Sequence, residues 1–138
     1  MNIQFFYEDT DFVLDQPGKI QWWVSEVIRS EQYTLDNLSY IFCSDEYLHK
    51  MNKEYLDHDT YTDIITFDNS EEEGVIDSDI FISIDRVDEN SEIQDTNFND
   101  ELARVIIHGV LHLMGWSDKT DALKKQMREK EDACLSLR

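Results

Sequence analysis

The chain has one proline, four glycines and two cysteines in 138 residues. So little proline and glycine argues against a disordered or low-complexity segment. Cys43 and Cys134 stand far apart in no C-x-x-C pattern, which excludes a disulfide scaffold or thiolate zinc knuckle and suits two thiols in a reducing cytosol. No apolar run approaches the roughly 20 residues that span a bilayer. The opening MNIQFFYEDTDF has no basic residue ahead of an apolar stretch, so neither a secretion signal nor a membrane partner is expected. Positive charge is scarce as well: 12 basic residues face 31 acidic ones, a formal charge of −19. A phosphate backbone repels such a chain at long range, so non-specific nucleic-acid binding should be weak. An RNA substrate would need a local basic patch or a protein partner to bring it in.

What is present is a hydrophobic fraction of 41%, enough for one core, in a length that suits one domain over residues 1–138. Residues 2–7 (NIQFFY), 38–43 (LSYIFC), 62–68 (TDIITFD) and 79–84 (DIFISI) read as strands from their alternation and β-branched content. Pro17 suits the first turn of a helix on which Ile20, Trp23, Val24, Val27 and Ile28 share a face, with Trp22 flanking it. Ser44 caps a helix over DEYLHKMNKEYL, Asp85 a short one over 86–94, and Asn97 a third over FNDELARVIIHGVLHLM. Thr120 opens the last helix, with Leu123, Met127, Lys130 and Cys134 as its stripe. The acidic NSEEEGVIDS reads as a solvated hairpin loop, because it lacks the ligand spacing of an EF-hand. Four strands and five helices predict an α+β (mixed α/β) domain, a four-stranded mixed sheet packed with helices, one of them central and buried.

That central helix lies in VIIHGVLHLMGWSDKT, residues 105–120, where His108 and His112 stand four apart on one face. With four histidines in the chain, the spacing alone is a weak signal. Burial strengthens it: Val105, Ile106, Ile107, Val110, Leu111, Leu113 and Met114 make the helix apolar nearly all round. An unpaired polar group there costs ~1–3 kcal/mol, and a metal would partner both rings. Gly109 costs about 1 kcal/mol relative to alanine mid-helix, which implies close approach of something to the backbone. Gly115 then ends the helix and turns the chain, so that Asp118 completes H-x-x-x-H-x-x-G-x-x-D. This is the frame of zinc proteases whose third ligand follows a glycine turn. Their glutamate after the first histidine is Gly109 here, which speaks against a peptidase and is expected to leave open space beside the metal for a bulky phosphodiester. Asp118, on its own more commonly a turn residue or cap, is the expected third ligand, with Asp121 as the fallback.

HGVLHLMGWSD resembles the H-G-x-L-H-L-x-G-Y-D-H signature of the YbeY family of bacterial rRNA maturation factors. MNKEYLDHDTYTDIITF is similar to the family's N-x-x-Y-R-x-x-D-x-x-T-D-V-L-S-F segment and SDIFIS to its G-D-I-x-I-S strand, in family order over roughly residues 50–118. The resemblance implies a cytoplasmic, zinc-dependent, single-strand-specific endoribonuclease, in which water activated at the metal attacks a phosphodiester. It also implies a setting, 16S rRNA 3′-end maturation and ribosome quality control. The implied partners are ribosomal RNA, small ribosomal subunit proteins and an Era-type GTPase. It makes His108 and His112 the first two zinc ligands and aligns Asp118 with the family's third histidine. A carboxylate binds zinc at about 2.0–2.2 Å, and its charge makes other divalent metals more competitive. The family's arginine after the tyrosine is Leu56 here. Arg104, one turn before His108 on the same face, is the candidate catalytic replacement, ahead of Lys53 and Lys119, which read as surface charges. His49 and His58 read as solvated. Leu56 and the acidity admit a second reading, a metal-stabilised ribosome assembly factor without nuclease activity. The unassigned general base admits a third, a hydrolase of another small substrate.

Overall fold

The computed structural model describes residues 2–138. Strand β1 (Ile3–Glu8) lies parallel to β2 (Thr34–Cys43), with α1 (Pro17–Ser30) as the crossover between them. β2 is also parallel to β4 (Val75–Ser83), and β3 (Ile64–Asp68) pairs antiparallel with β4 at the far edge, giving the order β1-β2-β4-β3. Helix α2 (Asp45–Leu56) joins β2 to β3, and α3 (Ile84–Ile93), α4 (Phe98–Leu113) and α5 (Asp121–Leu135) follow the sheet. The class is the expected α+β, one mixed four-stranded sheet with five helices.

β2 is central, and both its faces are covered, so Leu38 to Cys43 are all buried. On one face Tyr40 and Phe42 join Trp23, Val24, Val27 and Ile28 of α1 and Ile106, Val110 and Leu111 of α4. On the other, Cys43 and Ile65 meet Leu48 of α2, with Tyr47, Met51, Phe67 and Phe81 around them. Each fully buried aliphatic side chain contributes ~1.5–3 kcal/mol, so α4, the helix richest in buried residues, is held mainly by its apolar face. Trp23 is buried and its indole N–H donates to the Cys134 carbonyl at 2.8 Å, tying α1 to the end of α5; Trp22 is exposed, as expected. Both cysteines are free and buried, and burial together with nearby acidic residues pushes the Cys43 thiol up to about 12.

The caps follow the sequence where a hydroxyl or amide opens a helix. Ser44, Asn97 and Thr120 each accept from a backbone N–H of the first turn they precede, at 3.1, 2.7 and 3.1 Å. Several boundaries differ. β2 begins at Thr34, and its first residues are largely exposed, so no alternation marks them. β4 begins at Val75, inside the stretch expected to be loop, and Gly74 with φ of 78° precedes it. Ser83 rather than Asp85 caps α3; Asp85 instead accepts from the Asp45 N–H at the start of α2, at 2.9 Å. On α5 the buried stripe is Met127, Glu131 and Cys134, so the expected Lys130 position yields to a glutamate. Among the described residues no helix is long and apolar enough to cross a membrane.

Candidate metal centre

α4 presents two faces with different tasks. Its sheet side carries Gly109, where an added Cβ would stand 2.9 Å from Ile64 Cδ1 and 3.1 and 3.3 Å from Ile80 Cδ1 and Cγ2. The expected close approach is therefore the sheet itself. The expected open space beside the metal is not at this position, because the two isoleucines fill it. The other face carries Glu101, Arg104, His108 and His112, spaced three and four apart and so aligned along the helix.

Past Met114 the chain reverses at Gly115, with φ of 95°, a left-handed conformation that side chains disfavour. The Trp116 N–H donates to the Leu111 carbonyl at 3.0 Å, and the Tyr33 hydroxyl donates to the Met114 carbonyl at 3.2 Å. Lys130 stands over the Trp116 ring at 5.4 Å. So fixed, the turn brings Asp118 back to the histidines. Its two carboxylate oxygens lie 3.5 Å from His108 Nε2 and 3.4 Å from His112 Nε2, and the three ligand atoms all fall within 4.8 Å of one another. Two donors each about 2.1 Å from a tetrahedral zinc stand about 3.4 Å apart. The residues therefore fit a divalent metal, and the cluster joins all three expected ligands. Asp121, the fallback, is the first residue of α5 and lies outside the cluster.

Glu131, which sequence reading missed, completes the arrangement. It is buried, and its carboxylate accepts from His108 Nδ1 at 2.6 Å and from Arg104 at 2.9 Å. With Nδ1 committed to a carboxylate, the neutral His108 ring carries its lone pair on Nε2, the atom facing Asp118, which is the tautomer a metal ligand requires. Burial pulls the His108 pKa down, but the Glu131 hydrogen bond and the charges of Glu131, Asp118 and Asp63 outweigh it and leave the value raised. Arg104 also bonds Asp132 at 2.5 Å, so it is an anchored cation on the expected face. The signal for Glu131 was available: it interrupts the apolar stripe between Met127 and Cys134.

A cavity of about 300 Å³ opens beside the cluster, lined by His108 and Asp118 together with Asp63, Glu101 and Arg104. Burial pushes the Asp63 carboxyl up against the opposing pull of His108 and Arg86. It does the same to Glu101 against Arg104 and Arg128. A larger cavity of about 560 Å³ lies between α1 and the other side of α4, with Trp22, Trp23 and Leu102 in its wall and none of the three ligands. Two of the three expected ligands, His108 and Asp118, line the smaller one. Leu56, Lys53 and Lys119 do not line it. His49, expected to be solvated, is half-buried: it bonds Asp59 at 2.8 Å and stacks on Tyr61 at 4.0 Å. His58 is exposed as expected.

The family model described as Endoribonuclease YbeY matches residues 7–137. A protein of Cytophaga hutchinsonii named Endoribonuclease YbeY is 57% identical over 99% of this chain and 95% of its own. One of the same name from Christiangramia forsetii is 47% identical over 96% and 92%. The solution structure of TM1509 from Thermotoga maritima superposes with a TM-score of 0.69 at 25% identity, covering 95% of this chain and 86% of that one. On the match along nearly its whole length, the chain belongs to the YbeY family.

Proposed function

We propose that this chain is a zinc-dependent, single-strand-specific endoribonuclease that matures the 3′ end of 16S rRNA and serves ribosome quality control in the cytoplasm. One observation carries the reading: His108, His112 and Asp118 offer ligand atoms within 4.8 Å of one another, beside a cavity whose wall includes Arg104, Lys124 and Arg128. When bound, zinc supplies Lewis acidity toward a phosphate oxygen and lowers the pKa of water. His108, His112 and Asp118 are the residues that would hold it, with other divalent metals as competitors. Glu131 orients His108. Arg104, the candidate catalytic residue, lines the cavity and fixes Glu131, with Asp132 as its second partner.

Relatives named as endoribonucleases support this reading over an assembly factor that cleaves nothing. The family resemblance supplies the partners proposed here, ribosomal RNA, small-subunit proteins and an Era-type GTPase. The domain proposed is the whole of residues 1–138. The test incubates zinc-reconstituted protein and its His108→Ala variant with single-stranded and structured RNA at low salt. Cleavage of the single-stranded RNA by the first and not by the second is expected. Cleavage by neither overturns the nuclease reading.

A further inference from the structure

The cations of this chain are unevenly placed. Lys119, Lys124, Lys125, Arg128 and Lys130, five of the 12 basic residues, fall within residues 119–130, where Asp121 and Glu129 are the only acidic ones. A net positive segment therefore runs beside the ligand cluster in a molecule of charge −19. Within it, Lys124 and Arg128 stand four apart on α5 and share a face, and both line the cavity that contains His108 and Asp118. The other three do not. Lys130 is taken up by Glu31 at 2.5 Å.

Unlike Arg104, which Glu131 and Asp132 hold, the Lys124 and Arg128 side chains make no ion pair or hydrogen bond among the described residues. With no ion pair formed among the described residues, these cations facing a cavity are available to an anion from outside, although Arg128 lies near enough to Glu101 and Asp132 to act on their carboxyls. Of the four carboxyls that share the cavity, Glu131 is paired with Arg104 and His108, burial pushes the Glu101 and Asp63 carboxyls up from the ordinary carboxylate range, and Asp118 is one of the expected ligands. Residues four apart have Cβ atoms ~5–6 Å apart, a separation from which long side chains can reach neighbouring phosphates. Arginine offers a planar fork to phosphate oxygens, lysine a movable point charge.

We propose that Lys124 and Arg128 form a two-residue clamp on the phosphodiester backbone of single-stranded RNA, holding the phosphates that flank the one presented to the ligand cluster. The choice of RNA as the polyanion rests on the endoribonuclease reading above.

The test is an anisotropy titration of zinc-loaded protein with a labelled 2′-O-methyl oligouridylate, its intactness confirmed by electrophoresis. Lys124→Ala/Arg128→Ala is compared with wild type and with Lys119→Ala/Lys125→Ala, which removes the same charge from the same segment but not from the cavity. Each phosphate contact on a single strand contributes about 0.7 to the log–log salt slope, so the clamp variant should lose about 1.4 of slope and roughly 10- to 100-fold of affinity at about 50 mM salt. The matched variant should keep the slope. All four positions are exposed, and unchanged zinc content would confirm an intact fold. Equal losses in both variants, or no loss in either, overturn the clamp. RNA bound through these cations but never cleaved leaves the clamp standing and removes the nuclease reading. Cleavage by the clamp variant with an unchanged KM does the reverse.

Discussion

At the scale of single residues, the site depends on a carboxylate that holds no metal. Glu131 takes one hydrogen bond from His108 and another from Arg104, so a single buried side chain sets a ligand's tautomer and is itself neutralised. Such outer partners are worth about 10–100-fold in metal affinity. Glu131→Gln, which keeps the shape and removes the charge, should weaken zinc binding by about that factor in competition with a chromophoric chelator. Asp118→Ala deletes a donor outright and should weaken it further. Wild-type affinity in Glu131→Gln would end the orienting role, and in Asp118→Ala the ligand assignment. The clustering of His108, His112 and Asp118 was legible in the sequence because helical periodicity and one glycine turn bring them together locally. Glu131 was missed although it interrupts the apolar stripe between Met127 and Cys134, because its partners lie on another helix and the stripe was read through Lys130 instead.

At the scale of elements, α4 and the sheet fit through a missing side chain. Alanine at 109 would gain about 1 kcal/mol of helix propensity. Against that, its methyl would meet Ile64 and Ile80 inside ordinary contact distance, and overpacking of this kind costs ~1–3 kcal/mol. Ile64 Cδ1 can swing away, but Ile80 Cγ2 sits on Cβ and cannot. Gly109→Ala should therefore lose about 1 kcal/mol in urea denaturation; a more stable variant would show that the packing yields. The expectation of free space at this glycine failed for the same reason. A sequence marks that a side chain is absent, not what fills the room. Elements with polar caps or a two-sided apolar run, such as α2 and the second half of β2, were read correctly. The first half of β2 escaped because its exposed residues show no period, and α3 was misplaced because Ser83 and Asp85 are both good caps.

At the scale of the molecule, the ligand cluster joins α4 to the turn before α5, and Glu131 extends the connection to the far part of α5. A metal that binds only the folded state stabilises it by about 2.7 kcal/mol when present at 100 times its Kd. Chelation should thus lower the Tm by several degrees, zinc should restore it, and Asp118→Ala should respond to neither. A chelation-insensitive wild type would rule out this linkage. Charge, by contrast, acts before any contact is made. If Lys124 and Arg128 are what receives RNA, a polyanion at low ionic strength is repelled by most of a chain of formal charge −19 and attracted only near them. Discrimination then begins in the association rate, as a filter on orientation during encounter, and fades as added salt shortens the reach of the field.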